Sequence, residues 1–195
     1  MTLILLALAG GLALLVAGCQ AVRAGYESAP YRVVRTDGEF ELRDYAPLTV
    51  VETPMSPGGN GSDGSFMRLF RFISGGNQAG QKIAMTTPVF ISDHGTNTTM
   101  AFVLPAKFQS GQAPGPTNQL VTLRQLDAGR FAVLRFTGGR NPRNEANALD
   151  RLKTWLAGQG LSVLSPPVYA FFDPPWTPTF LRRNEVMLRT DAGKP

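Results

Sequence analysis

The chain carries one cysteine, Cys19, and one histidine, His94, so most of its side-chain chemistry must come from carboxylates, hydroxyls and arginines. Ser92, Asp93 and His94 are consecutive. A Ser–His–Asp triad is assembled from separate stretches, so this run, followed by Gly95, reads as a turn rather than a nucleophile with its base. A zinc site needs His, Cys or carboxylate ligands at recognisable spacing, and none stands out. A single cysteine excludes both an intramolecular disulfide and covalent haem attachment through Cys-x-x-Cys-His. The stretch "GGNGSDGS" at 58–65 lacks the Lys-Ser/Thr ending of a phosphate-cradling loop. Glu39 with Glu41, and Glu145 with Asp150, read as surface carboxylates, and Met67, Met85, Met100 and Met187 as core. The expectation from these residues is neither an enzyme nor a metal site.

Cys19 is where sequence and chemistry do coincide. Residues 2–18 contain no charge and end in Val16-Ala17-Gly18 before Cys19. An apolar segment this short reads as a signal-peptide core rather than a membrane span. Its end resembles a bacterial lipobox, in which the cysteine takes up diacylglycerol and becomes the mature N-terminus. Each buried lipid methylene contributes roughly 0.8 kcal/mol, so several acyl chains anchor firmly. The usual basic n-region is missing. The expected organisation is a lipoprotein signal peptide at 1–18, a tether at 19–30 and a folded domain at 31–190. With Gln20 rather than Asp after the cysteine, the expected location is the bacterial envelope, at the outer membrane facing the periplasm. The net charge of +5 is spread without a basic run, which gives no nucleic-acid footprint. Hydrophobic residues at 43% fit a globular protein.

Two helices and a series of strands would position everything else. Asp37-Gly38 separates two alternating runs and predicts a hairpin, with Phe40 and Leu42 on one face and Glu39, Glu41 and Arg43 on the other. Residues 48–53 predict a further strand, and 54–65 a loop. Phe66, Leu69, Phe70 and Ile73 fall at i, i+3, i+4 and i+7, the stripe of a helix capped by Ser62 or Asp63 and closed by Gly75-Gly76. "QKIAMTTPVFIS", 81–92, is a strand interrupted by Pro88, which cannot donate to a ladder. Another strand follows at 99–105. The order then repeats, with strands at 120–126 and 131–137, a helix opened by Asn141-Pro142 with a stripe of Leu149, Leu152, Trp155 and Leu156, and strands at 167–172 and 184–190. Each half reads strand, strand, helix, strand, strand, which predicts an α+β domain.

The runs "YRVVRTDGEFELRDYAPLTVVET", "FMRLFRFISGGN", "KIAMTTPVFI" and "FFDPPWTPTFLRRNEVMLR", in that order, resemble the SOUL/haem-binding-protein family over residues 31–190. The resemblance implies two pseudo-symmetric halves forming a distorted β-barrel or curved sheet flanked by two helices. It also implies reversible, non-covalent binding of haem or a similar tetrapyrrole in an apolar cleft beside the first helix. A tetrapyrrole is a flat apolar body with carboxylates, so it asks for apolar side chains and a cation or two. Carried onto this chain, the ligand-binding residues are Phe66, Met67, Phe70, Arg71, Phe172 and Trp176. Asp63 and Thr177 stand where the resemblance implies further cations. His94, in its turn, is not expected to be a required axial ligand. The expected partners are a tetrapyrrole or other apolar anionic small molecule and the membrane, through the lipid, but no nucleic acid. The alternative is a cell-envelope structural or interaction protein with the same fold that does not bind haem.

Overall fold

The computed structural model describes residues 25–56, 63–93, 97–109 and 111–191. The apolar leader, Cys19 and His94 lie outside the described residues.

The chain enters the fold within the expected tether: β1 (Glu27–Ser28) pairs in parallel with β5 (Thr86–Thr87), and Ala29 is buried. The Asp37-Gly38 hairpin forms as β2 (Tyr31–Asp37) and β3 (Phe40–Tyr45), with Gly38 at φ 59°, the left-handed geometry such a turn demands. Next come β4 (Leu48–Met55), α1 (Ser65–Ile73), β6 (Val89–Asp93) and β7 (Thr98–Val103). The second half supplies β8 (Thr122–Leu126), β9 (Gly129–Phe136), α2 (Pro142–Gly158), β10 (Val168–Phe171) and β11 (Asn184–Thr190). Pro88, after a cis peptide bond, divides the expected 81–92 strand into β5 and β6, which pair with different partners.

Nine strands make one antiparallel sheet in the order β2-β3-β9-β11-β10-β6-β7-β4-β8. Its centre is the β10–β6 pairing, where Ala170 faces Phe90. The two halves are related about that seam, with an exchange: β3, from the first half, pairs with β9, and β8, from the second, pairs with β4. The sheet does not close. Among the described residues β2 and β8 remain its edges, so the curved sheet is the form found and the barrel is not.

Strand alternation sorts the core into layers. Val51, Ile91 and Phe102 pack under α1 with Leu69, Phe72 and Ile73. Ala132, Leu134, Val186 and Leu188 pack under α2 with Ala148, Leu152 and Leu156. The intervening residues Val50, Phe90, Val103, Val133, Ala170 and Met187 form a third cluster on the opposite, inner face of the sheet. Asn141 caps α2 as expected, its Oδ1 accepting the Asn144 amide at 2.9 Å.

The stripe of α1 is rotated from the expected one. Leu69, Phe72 and Ile73 face the sheet, Phe66 is half-buried and Phe70 is left outside. Positions 69, 72 and 73 keep the i, i+3, i+4 spacing, so periodicity alone could not choose between the two stripes.

Candidate ligand-binding surface on the first helix

The helix α1 is held at both ends. Asp63 precedes it, accepting the Ser65 amide at 3.1 Å and the Ser56 amide at 2.7 Å. Burial pushes the Asp63 carboxyl up, but its hydrogen bonds with Ser65 and Ser56 and the charge of Arg68 outweigh this and bring it to about 2. Arg68 straps the helix to β4 through Thr53 Oγ1 at 2.9 Å and the Pro54 carbonyl at 2.6 Å. At the far end the Gly76 amide donates to the Arg71 carbonyl at 2.8 Å. A Cβ on Gly76 would lie 2.8 Å from that oxygen, which explains the glycine.

The outward crest of this fixed helix is Met67, Phe70 and Arg71, at i, i+3 and i+4. Met67 is 47% exposed and Phe70 42%. Phe70 stacks on Phe66, with ring centroids 6.0 Å apart, and Phe66 meets Phe102 of β7 edge-on at 5.3 Å. Arg71 makes no side-chain hydrogen bond or ion pair among the described residues. It borders a cleft of about 150 Å³ between α1 and Pro116, Thr117 and Val121. Three side chains of differing chemistry thus sit side by side: a thioether, an aromatic face backed by a second ring, and an unpaired guanidinium.

The other expected ligand residues lie elsewhere. Phe172 is buried in the inner-face cluster, with the Arg183 guanidinium 4.0 Å from its ring centre. Its neighbour Phe171 packs against the clusters beneath both helices and carries Arg140 at 5.3 Å. Trp176 is 75% exposed in the loop between β10 and β11, as is Phe180 at 62%. That loop is built rather than loose. Thr177 is buried, and Arg182 donates to the Thr177 carbonyl at 2.8 Å and to the Pro175 carbonyl. It rests on the turn before α2, since a Cβ on Gly139 would lie 3.2 Å from Thr179. From this turn Arg140 reaches Glu145 at 3.5 Å. Burial lowers the Arg140 pKa, against the pull of Glu145 and Asp63. Met67, Phe70 and Arg71 therefore form one surface with Phe66 beneath it, while Phe172 and Trp176 occupy an inner layer and a separate loop.

Alternation had placed Arg43 opposite Phe40 and Leu42, but not inside the protein. Its guanidinium is 1% exposed, bonded to Glu185 at 2.7 and 3.1 Å and to Glu41 at 2.7 Å. Arg183 adds bonds of 3.0 and 2.6 Å to the same Glu185 oxygen. The sequence signal was Glu185 itself, which shares the strand parity of Met187 and so points to the inner face. Burial pushes the Glu185 pKa up, but Arg43 and then Arg183 reverse this and hold it below the ordinary carboxylate value. Beside them, burial pushes the Tyr45 hydroxyl up to about 12.

Among the described residues no group of three His, Cys, Asp or Glu side chains converges as a metal site would require. Among solved structures, the EcmrR C-terminal domain superposes with a TM-score of 0.59 at 11% identity, covering 83% of this chain and 98% of that one. An uncharacterized conserved protein from Listeria innocua gives 0.59 at 9%, covering 78% and 92%. These likenesses show the fold. Heme-binding protein 1 of Xenopus tropicalis is 25% identical over 156 residues, covering 75% of this chain and 81% of that protein. The Xenopus laevis protein of the same name is 25% identical over 157 residues. The family model described as SOUL heme-binding protein matches residues 26–189, so both helices, β1 through β10 and all of β11 but Thr190 fall within the match, and this chain belongs to the SOUL heme-binding family.

Proposed function

We propose that this protein binds haem, or a similar flat apolar anionic tetrapyrrole, reversibly and without covalent attachment, on the crest of α1. The observation that carries the reading is the exposure of Met67 and Phe70 beside Arg71, which has no side-chain partner among the described residues, in a member of this family. Exposed apolar surface next to a cation suits a ligand with an apolar face and a carboxylate edge. At about 25 cal/mol per Å², a few hundred Å² of covered apolar ligand surface is worth several kcal/mol before association costs. Phe66 and the Arg68 strap keep the surface from collapsing when it is empty. The reading contains no catalytic step. It places the protein on a lipid anchor at Cys19, in the bacterial envelope.

Titrating the purified protein with haemin and following the Soret band tests this. A saturable shift is the expected result, and iron-free protoporphyrin should bind comparably, because the reading relies on area and charge rather than on an axial ligand. No saturable change would favour the second reading, an envelope interaction protein that has kept the fold. One observation supports that alternative: Asp63, next to α1, stays ionised where the family resemblance implies a cation.

A further inference from the structure

A cleft of about 590 Å³ opens on a different part of the molecule, between the first turns of α2 and the adjoining ends of β3 and β9. Its origin is a change of side-chain size along one flank of α2. Toward the helix C-terminus Trp155 stacks on Phe40, with centroids 5.1 Å apart and planes 1° from parallel, and its indole N–H donates to Asp37 at 2.8 Å. That contact closes the gap between helix and sheet. Further toward the N-terminus the same flank carries Ala148, Asn147 and Asn144, and Gly38 lies across the cleft. Short side chains there leave the gap open.

Glu39, Glu41, Arg135 and Arg151 line the cleft, two charges of each sign, and the partners of the carboxylates behind it decide which charge is left over. Glu39 is paired with Arg151, and Glu41 with Arg43. Glu185, behind the cleft, is taken up by Arg43 and Arg183. Arg135 remains. Its side chain is 49% exposed, and it stands 3.7 Å from a Glu185 oxygen that already takes bonds from Arg43 and Arg183. Counting Glu39 with Arg151, Glu41 with Arg43 and Glu185 with Arg183 as neutral pairs leaves the charge of Arg135 uncompensated. Asn147 and Thr137, both exposed in the same cleft, make no side-chain hydrogen bond among the described residues. The N–H donors of Arg135, which make no side-chain hydrogen bond among the described residues, stand beside an amide and a hydroxyl and match a planar carboxylate on a hydroxylated body.

We propose that this cleft is a second ligand site, for a small hydroxylated carboxylate of the sugar-acid class, with Arg135 taking the carboxylate and Asn147 and Thr137 the hydroxyls. The site stands apart from the α1 crest and does not depend on tetrapyrrole binding. Calorimetric titration of the full-length protein in detergent with sodium D-glucuronate tests it, with D-glucose and inorganic phosphate as parallel arms. Saturable glucuronate binding is expected, with a dissociation constant on the order of millimolar, together with no binding of glucose and weaker binding of phosphate. Arg135→Gln should weaken glucuronate about tenfold or more. Arg135→Lys should restore little, since an ammonium lacks the fork. Thermal unfolding of both variants should match the parent, because Arg135 is half-exposed. Absence of saturable glucuronate binding, equal binding of glucose, phosphate binding as tight as glucuronate, or unchanged affinity in Arg135→Gln would each overturn the proposal.

Discussion

Arg43 and Glu185 stand 142 positions apart in the sequence and meet as a two-pronged ion pair, at 2.7 and 3.1 Å, on the inner face of the sheet. Neither side chain sees solvent to any extent, at 1% and 0% exposure. The Tyr31 ring covers the guanidinium at 4.2 Å, and Tyr45 accepts from it at 3.3 Å. Removing Arg43 leaves Glu185 with Arg183 as its partner but takes away charge-assisted hydrogen bonds to Glu185 and Glu41, a loss of about 1.5–3 kcal/mol. Arg43→Met should lower unfolding stability by that amount in urea titrations. The double variant Arg43→Met/Glu185→Leu should be less destabilised than the sum of the single variants, by more than about 1 kcal/mol. Strict additivity would show that the pair is not coupled.

The same pair sets a pH dependence. The folded-state pKa of Glu185 lies below its ordinary value of 4.5, and that of Asp63 is lowered from 3.8 to about 2. A carboxylate with a depressed folded pKa stabilises the fold above its unfolded pKa, and that contribution is lost as pH falls through the folded value. Stability should therefore hold near neutrality and decline on acidification from about 4.5 towards 2. Glu185→Gln should be less stable at neutral pH and show a shallower acid slope. A parallel slope in that variant would remove Glu185 from the account.

Phe70 and Phe72 separate binding from folding on one helix. Phe72 is 2% exposed in the cluster under α1, and its replacement by Ala should cost about 3–5 kcal/mol in stability. Phe70→Ala should leave the unfolding midpoint close to the parent and weaken haemin in Soret titrations. If Phe70→Ala binds haemin as the parent does, the crest of α1 is not the binding surface.

Arg71 should matter only to the charged edge of the ligand. A charge-assisted hydrogen bond is worth about 1.5–3 kcal/mol, so Arg71→Ala should weaken haemin roughly ten- to a hundredfold. Protoporphyrin dimethyl ester, whose carboxylates are masked, should bind parent and variant alike. Equal loss for both ligands would mean that Arg71 supports the surface rather than pairing with a carboxylate.

Cys19 carries the expectation about location. Cys19→Ser should release the protein from the membrane fraction, or leave it as the unprocessed, slower-migrating form. A variant that fractionates and migrates like the parent would disprove lipidation at this residue.

Much of the fold was legible because local rules agreed. Asp37-Gly38 has one good use, as a hairpin turn, and Asn141-Pro142 opens a helix by chemistry that needs no tertiary context. The rotation of α1 was not legible, since Phe66 with Phe70, at i, i+4, and Leu69 with Phe72, at i, i+3, both fit one face of a helix and only the sheet beneath decides between them. Arg43 escaped for a related reason. Alternation told which face it occupies, but not that the inner face of this half is covered by Tyr31, Tyr45 and Glu185. The cleft at Arg135 depends on residues from β3, β9 and α2 that no short window contains.

The exchange of β3 and β8 between the halves bears on synthesis. Translation delivers β3 long before β9, the strand beside which Leu42 settles opposite Ala132. Until β9 leaves the ribosome, β3 has only the β2 hairpin to hold it, and until β8 leaves just ahead of it, β4 lacks the strand that pairs Leu123 with Val51. Neither half can complete its share of the sheet alone. Pairings across such sequence distances are slow and leave apolar strands exposed while they wait. A nascent chain stalled after β7 should therefore be a poor folding unit, open to proteolysis, and should gain protection only as the ninth strand emerges.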